Sequence, residues 1–263
     1  QLHFTDRRQR QMCIRDSVSS VNEIIPTRNH SEIMLKNMGA SIESEGSKII
    51  VHPLKSKLKS IDISVPSDPS SAAFFVALAV INNNSNLKLT NVLLNESRIG
   101  FVEVLNKMNC LITKSNESIH NGEKVGDLTI SASNPKAIEV EPEIIPSIID
   151  EVPILAVVAA FAKGTTVFKN VEELKYKECD RLGAIIHNLG AFGIKAYEKN
   201  NDLFIEGGKV KRMPKITTFD DHRIAMAFTI LSLTSFEKYE LDNIQCVDIS
   251  LPNFFNYLSE VTK

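Results

Sequence analysis

Three stretches of the chain are apolar over most of their length, and each is followed by a shorter stretch in which apolar and polar residues alternate. The apolar stretches begin near residues 70, 150 and 221 and read SSAAFFVALAV, EVPILAVVAAF and DHRIAMAFTIL. The alternating stretches read LKLTNV, TVFKNV and YELDNI. Long apolar runs without a polar face predict helices buried on all sides and packed against a sheet. Short alternating runs predict strands.

A second pattern recurs three times along the chain. Its copies lie at 32–51, at 102–114 with 127–131, and at 184–205. Each copy opens with apolar residues at helical spacing and passes through Gly39, Asn109 or Gly190, where we expect a helix C-cap. Each closes with two short alternating runs around a polar turn, which predicts a hairpin.

Together the two patterns define a repeating unit of helix, strand, helix and hairpin. One unit spans about 67–131 and a second about 150–207. A third begins near residue 220 and stops after half a unit, and the copy at 32–51 has only the second half. The alternative is an ordinary α+β domain in which the similarity is accidental.

A repeat that is cut at both ends fits a chain that leaves one domain, makes another and returns. We therefore expect residues 18–66 to be the last part of an inserted second domain and residues 67–263 to be most of the first. Asp68 and the Ser70–Ser71 pair lie at the crossover between them. We interpret these polar residues as a hinge and a helix cap, with no chemistry of their own.

The first residues are predicted not to belong to the natural protein. Residues 7–17 read RRQRQMCIRDS, which matches the translation of a nucleotide string like that of a common transposase-based sequencing adapter. A basic disordered tail or a transit peptide is the alternative. We exclude residues 1–17 from the fold and expect the natural protein to be longer at its N-terminus.

Composition and charge exclude several classes of function. The chain is 43% hydrophobic and 24% charged, with a formal net charge of −2, which does not indicate a nucleic-acid-binding protein. Its four cysteines are far apart, so they predict neither a disulfide framework nor a zinc site and fit a reducing cytoplasm. No apolar run reaches the roughly 18 residues of a membrane span.

Two charged motifs and one aspartate are candidates for chemistry. K-E-C-D-R places Lys177, Glu178 and Arg181 within one helical turn, with Glu178 and Arg181 on neighbouring faces. Alone, this motif is more typical of a solvated helix face. Asp150 stands just before an apolar helix, where a single aspartate is usually a cap.

The second motif, D-H-R, opens the third apolar helix. Asp220 or Asp221 can cap this helix. The free N–H groups of its first turn, together with Arg223, would form an anion site. The alternative is an exposed cap with an incidental arginine.

These motifs, taken with their spacing, resemble the EPSP synthase family of enolpyruvyl transferases almost continuously from residue 18 to 263. The segments that carry the resemblance are PTRNHSEIML (26–35), VPSDPSSAAFF (65–75), NESRIGFVEVLNKM (95–108), DEVPILAVVAAFAKGTT (150–166), EELKYKECDRL (172–182) and DDHRIAMAF (220–228). The resemblance implies an α/β (α+β) fold, an inside-out barrel in which such units surround buried helices, incomplete here at the N-terminus. It implies transfer of the enolpyruvyl group of phosphoenolpyruvate (PEP) to the 5-hydroxyl of shikimate 3-phosphate, without a metal or other cofactor.

The resemblance also implies roles for single residues. Arg181 and Arg223 would bind the anionic groups of PEP, and Arg28 would bind the phosphate or carboxylate of shikimate 3-phosphate. Asp150 would contact the substrate hydroxyl, as general base or orienting group, assisted by Lys177. Glu178 would protonate PEP.

At three places the sequence departs from the family pattern. Cys179 stands where a Ser or Thr is usual, and Thr27 and Asn29 flank Arg28 where the family often has Ser and Asp. Neither of these changes removes a charged group of the implied site. The third is Ile249, which stands where some members have a Lys that contacts the PEP phosphate.

Further expectations follow from the same resemblance. The intact enzyme would be a cytoplasmic monomer that glyphosate inhibits by competing with PEP, without a nucleic-acid or membrane partner. Motifs of the family's N-terminal half do not occur here, so we expect residues 18–263 alone to be inactive. The alternatives are a UDP-N-acetylglucosamine enolpyruvyl transferase, which shares fold and donor, and a non-catalytic remnant.

Overall fold

The computed structural model describes residues 17–24 and 27–262, and its first part is a small antiparallel sheet with one helix. The elements are β1 (Ser19–Asn22), α1 (His30–Asn37), β2 (Ile42–Glu45) and β3 (Lys48–Val51). β1 and β2 both pair with β3. The helix and hairpin predicted for 32–51 are confirmed. The predicted adapter segment, except for Ser17, lies outside the described residues.

The first repeat unit follows the crossover segment and has the predicted order. Its elements are α2 (Pro69–Ile81), β4 (Asn86–Leu93), α3 (Gly100–Lys107), β5 (Leu111–His120) and β6 (Glu123–Ser131). β4 and β5 flank β6 in an antiparallel sheet. Asp68 caps α2, as predicted, because its carboxylate accepts a hydrogen bond from the backbone N–H of Ser71 at 2.9 Å.

The second unit repeats this order around a four-stranded sheet. Its elements are β7 (Glu139–Val140), a 3₁₀ turn (Pro142–Ile144), α4 (Ile145–Ile148), α5 (Val152–Phe161), β8 (Thr165–Phe168), a second 3₁₀ turn (Glu172–Tyr176), α6 (Arg181–Ala191), β9 (Lys195–Lys199) and β10 (Asp202–Glu206). The strand order is β7-β8-β10-β9, and only β7 and β8 run parallel. The second copy of the repeat is therefore also confirmed.

The third unit begins as predicted but lacks its strand. It consists of α7 (His222–Phe236), a 3₁₀ turn (Gln245–Ile249) and α8 (Phe254–Val261). In YELDNI only Leu241 forms a bridge, to Ile216, so the strand prediction was wrong. The carboxylate of Asp242 accepts hydrogen bonds from the backbone N–H groups of Thr218 and Asn243, a local pattern that competes with a strand ladder.

The three apolar helices α2, α5 and α7 form the centre of the larger part of the molecule. They contact one another, and α2 and α5 also contact strands of their own units. Every residue of α5 except Phe161 is buried. The expected burial is thus confirmed, although the helices bury much of their surface on each other rather than on a sheet alone.

Apolar helices of this kind also raise the question of a membrane. Among the described residues, no single helix is both long and apolar enough to cross a bilayer. The pair Pro142–Ile148 and Val152–Phe161, bent by 114°, meets the criteria of length and composition only.

Three helices end in the same backbone motif. After α1, α3 and α6, the residues Gly39, Asn109 and Gly193 adopt a positive φ, and the next N–H bonds the carbonyl five residues earlier, as in a Schellman motif. Gly190, the predicted cap, lies inside α6 instead. The prediction failed there because N-L-G-A-F-G contains two glycines and periodicity alone did not tell which one follows the last turn.

Candidate active site

A fully buried arginine joins three carboxylates at the centre of the candidate site. The side chain of Arg181 is 0% exposed. Its Nε donates to Asp221 at 2.8 Å, its Nη1 to Asp150 at 3.2 Å and its Nη2 to Glu178 at 2.5 Å. The guanidinium group has donors on all three nitrogens in a fixed plane, so it can hold several acceptors at once. Attraction to these carboxylates outweighs the effect of burial and raises the pKa of Arg181.

Two helix starts place this arginine. Asp180 caps α6 by accepting from the N–H of Gly183 at 3.0 Å, so Arg181 is the first residue of the helix. Asp221 caps α7, which settles the choice between Asp220 and Asp221. Glu178 precedes α6 and reaches Arg181 from outside the helix, so the prediction that both lie on neighbouring faces of one helix was wrong.

The cap also changes the expected anion site at the start of α7. The Oδ1 atom of Asp221 accepts from the N–H groups of Arg223 and Ile224, at 2.8 and 3.3 Å. The sequence analysis predicted free N–H groups here, but these two are already bonded to Asp221. Any anion at this end of α7 would depend on arginine side chains.

Asp150 faces three arginines from the turn before α5. Its carboxylate lies 2.6 Å from Nη2 of Arg28, 3.2 Å from Nη1 of Arg181 and 3.7 Å from Nη2 of Arg223. Burial raises the pKa of Asp150, but the positive charges of Arg223, Arg28 and Arg181 outweigh it and lower the pKa to about 2. The carboxylate is thus ionised and weakly basic in this state.

Asp150 does not have the capping role that its sequence position indicates. The N-cap of α5 is Glu151, whose side chain makes no capping hydrogen bond. The Asp150 carboxylate instead forms ion pairs with arginines. The backbone carbonyl of Asp150 accepts a hydrogen bond from Nη1 of Arg223 at 3.2 Å.

Arg223 has a buried donor atom with no partner among the described residues. Its Nε is buried and makes no hydrogen bond, while its Nη groups contact Asp150. A buried unpaired donor is costly, so this atom is suited to an acceptor from outside the chain. The neighbouring His222 is buried, and burial, followed by the charge of Arg223, lowers its pKa.

Lys177 is the one predicted residue that does not join this cluster. Its Nζ lies 2.5 Å from the exposed carboxylate of Glu173. Exposed pairs of this kind contribute little to stability, so Lys177 can leave its partner at small cost. Cys179, two residues later, donates to Asp221 at 3.6 Å, and burial raises its pKa to about 12; the thiol thus makes the contact that a Ser or Thr hydroxyl could make.

A polar chain that sequence reasoning missed lies beside the site. Glu151 is only 3% exposed and accepts from the hydroxyl of Ser70 at 2.5 Å. Ser70 in turn accepts from Arg98, which is paired with Asp68. The one available signal was a glutamate next to Asp150 at the edge of a run that is otherwise apolar.

Among the described residues, no group of three or more His, Cys, Asp or Glu side chains could hold a metal ion.

Comparisons with known proteins show the family to which the chain is similar. A model of the family described as EPSP synthase (3-phosphoshikimate 1-carboxyvinyltransferase) matches residues 13–258. The 3-phosphoshikimate 1-carboxyvinyltransferase of Clostridium tetani is 43% identical over 247 residues, which cover 93% of this chain and 56% of the relative. That of Oceanobacillus iheyensis is 41% identical and covers 94% and 58%.

Solved structures of enolpyruvyl transferases share the fold of this chain. The structure of EPSP synthase from Acinetobacter baumannii superposes with a TM-score of 0.87 at 34% identity, over 94% of this chain and 57% of that one. The enolpyruvyl transferase NikO from Streptomyces tendae, at 15% identity and a TM-score of 0.71, shares the fold alone. The chain therefore spans somewhat more than half the length of the relatives it matches, and the predicted fold is confirmed.

Proposed function

The chain belongs to the EPSP synthase family, and we propose from this that the protein containing it transfers the enolpyruvyl group of PEP to the 5-hydroxyl of shikimate 3-phosphate, with release of phosphate. The observation that carries the proposal is the group of Arg28, Arg181 and Arg223 around Asp150. Two substrates that bring phosphates and carboxylates into one cleft need such guanidinium groups, which bind these anions in bidentate fashion.

The binding roles follow from the accessibility of each arginine. Arg28 is 44% exposed, so it can exchange Asp150 for a group of shikimate 3-phosphate. Arg223 is 16% exposed and offers its guanidinium group to the anionic groups of PEP. Arg181 is completely buried among carboxylates, and we assign it to orienting Asp150 and Glu178 as well as to PEP.

Asp150 and Glu178 are the proposed proton-transfer groups. In the first step the hydroxyl oxygen bonds to C2 of PEP, C3 gains a proton from Glu178, and the hydroxyl proton passes to Asp150, assisted by Lys177. In the second step C3 loses a proton to the Glu178 carboxylate left by the first step, and the C2–O bond to the departing phosphate breaks, which gives the enolpyruvyl product. Asp150 becomes a better base once substrate anions neutralise Arg28 and Arg223, because its pKa is lowered mainly by these charges.

Other properties of the protein are proposed on the same basis. Glyphosate would compete with PEP for Arg181 and Arg223, and the enzyme would act as a cytoplasmic monomer. The net charge of −2 and the buried apolar helices support the absence of nucleic-acid and membrane partners.

Phosphate release tests the proposal. We would assay the chain alone and the chain fused to the part of the Clostridium tetani relative that it does not match, called here the joined protein. With PEP and shikimate 3-phosphate, the joined protein should release phosphate, and Glu178→Gln should slow this about 10²- to 10⁴-fold. Glu172→Gln, which neutralises an exposed glutamate of the same segment, is the matched control.

The acceptor distinguishes the alternatives. Release with UDP-N-acetylglucosamine instead of shikimate 3-phosphate would assign the protein to the related transferase. No release with either acceptor, in a joined protein that is folded, would contradict the enzymatic function.

A further inference from the structure

A buried polar chain leads from the crossover segment to the candidate site. Arg98 lies 3.0 Å from the carboxylate of Asp68, the cap of α2, and donates to the hydroxyl of Ser70 at 3.0 Å. Ser70 donates to Oε1 of Glu151 at 2.5 Å. Ser70 and Glu151 are each only 3% exposed, so these groups exchange no hydrogen bonds with bulk water.

At its other end the chain reaches Arg223. The same Oε1 atom of Glu151 lies 3.8 Å from Nη1 of Arg223. That nitrogen also donates to the backbone carbonyl of Asp150 at 3.2 Å. Two consecutive residues of one turn thus hold the Nη1 side of the guanidinium group, while Nε has no partner among the described residues.

A carboxylate at this position is difficult to explain by stability alone. Burial raises the pKa of Glu151, against the opposing effects of the Ser70 hydroxyl and the charges of Arg223 and Arg98. A buried charge usually gives little net stabilisation compared with an uncharged side chain of the same size. Glu151 also makes no cap bond to α5. A role in placing Arg223 accounts for both its burial and its partners.

We propose that Glu151 is a positioning residue, which is held by Ser70 and fixes the guanidinium group of Arg223 against the Asp150 carbonyl, so that the partly exposed side chain of Arg223 is oriented towards an anionic ligand. The ligand considered is PEP, so this part of the inference rests on the proposed function. The placement of Arg223 by Glu151 does not.

Glu151→Gln separates positioning from charge. The glutamine keeps the size of the side chain and an acceptor for Ser70 but removes the negative charge near Arg223. If Glu151 acted only through its charge, its removal would strengthen the binding of an anion. If Glu151 holds Arg223 in place, binding weakens, so the two explanations predict opposite signs.

The binding test uses the joined protein without shikimate 3-phosphate, so that no turnover occurs, and measures the Kd of PEP by calorimetry. We expect Glu151→Gln to weaken PEP binding about three- to tenfold, the loss that corresponds to a typical single polar contact. KM for PEP should rise by more than kcat falls. Glu143→Gln removes an exposed carboxylate from the same segment before α5 and should leave Kd unchanged. Unchanged or tighter binding by Glu151→Gln overturns the proposal.

A second measurement follows Arg223 directly. In a nitrogen–proton NMR spectrum of the chain, the Nε–H signal of Arg223 can be assigned by its loss in Arg223→Lys. We expect this signal to shift and broaden in Glu151→Gln but not in Glu143→Gln. A signal that does not move in Glu151→Gln overturns the positioning role. Failure of the wild-type joined protein to bind PEP would instead contradict the proposed function, and the NMR comparison would still decide the role of Glu151.

Discussion

Arg181 and Asp221 form an ion pair in which both side chains are 0% exposed, with 2.8 Å between Nε and Oδ2. The pair joins the first residue of α6 to the N-cap of α7, and so ties two repeat units together beside the candidate site. Removing two charges from water costs free energy, and the attraction between the charges offsets this cost only when both partners are present. The pair therefore contributes both to the stability of the fold and to the geometry of the candidate site.

Removing one partner should be strongly destabilising. We expect Arg181→Met to lower the free energy of unfolding by about 3–5 kcal/mol, because Asp221 is left buried without a counter-charge. Adding Asp221→Asn should recover part of this loss, since asparagine also caps helices well but carries no charge. Urea unfolding measures both.

Arg212→Met is the control for this change, because Arg212 is exposed and its replacement should alter stability by less than about 0.5 kcal/mol. An Arg181→Met variant as stable as the control would contradict the importance of the buried pair.

The low pKa of Asp150 predicts how stability depends on pH. Its value of about 2 in the folded protein lies below the usual value of about 3.9. The ionised carboxylate therefore stabilises the fold above about pH 4, by about 2 kcal/mol, and this contribution is lost as the pH falls towards 2. Asp150→Asn should be less stable than wild type at pH 6, and the difference should narrow by about 1 kcal/mol at pH 3.

Urea unfolding at both pH values checks this, with Asp248→Asn as a control that makes the same substitution at an exposed position. A difference between wild type and Asp150→Asn that stays constant from pH 6 to pH 3 would show that the arginines do not hold the carboxylate ionised.

Gly190 within α6 and Gly193 after its end should respond in opposite ways to alanine. Gly193 has a φ of +85°, and an added Cβ would meet the side chain of Lys211 at 3.1 Å. Gly193→Ala should therefore destabilise by about 1 kcal/mol or more. Gly190 lies within the helix with no atom within 4 Å of an added Cβ, so Gly190→Ala should stabilise by about 0.5–1 kcal/mol. Thermal unfolding of both variants measures the difference. Equal shifts of the Tm would contradict the position of the C-terminal end of α6.

The repeated architecture was largely predictable because its signals are local. Apolar runs, alternating runs and glycine or asparagine after a helix each act within a few residues, and they gave the order of helices and hairpins in both complete units. The strand prediction for 239–244 was wrong because the carboxylate of Asp242 accepts hydrogen bonds from local backbone groups, which a hydropathy pattern does not report.

The candidate site was predictable in part. The family motifs pointed to Asp150, Glu178, Arg181 and Arg223, and the structure places these four side chains in one ion-pair network. The pairing of Lys177 with Glu173 was not foreseen. Neither were the burial of Glu151 and its bond to Ser70, because contacts between residues 81 positions apart depend on how the units pack.

The affinity of the joined protein for PEP, measured by calorimetry without shikimate 3-phosphate so that no turnover occurs, tests most directly whether these residues form one anion site. We expect Arg223→Gln to weaken PEP binding about 30-fold or more, as for loss of one member of a well-packed charge pair, while Arg212→Gln, at an exposed position, binds as wild type does. Equal affinity of Arg223→Gln and Arg212→Gln for PEP would contradict the account.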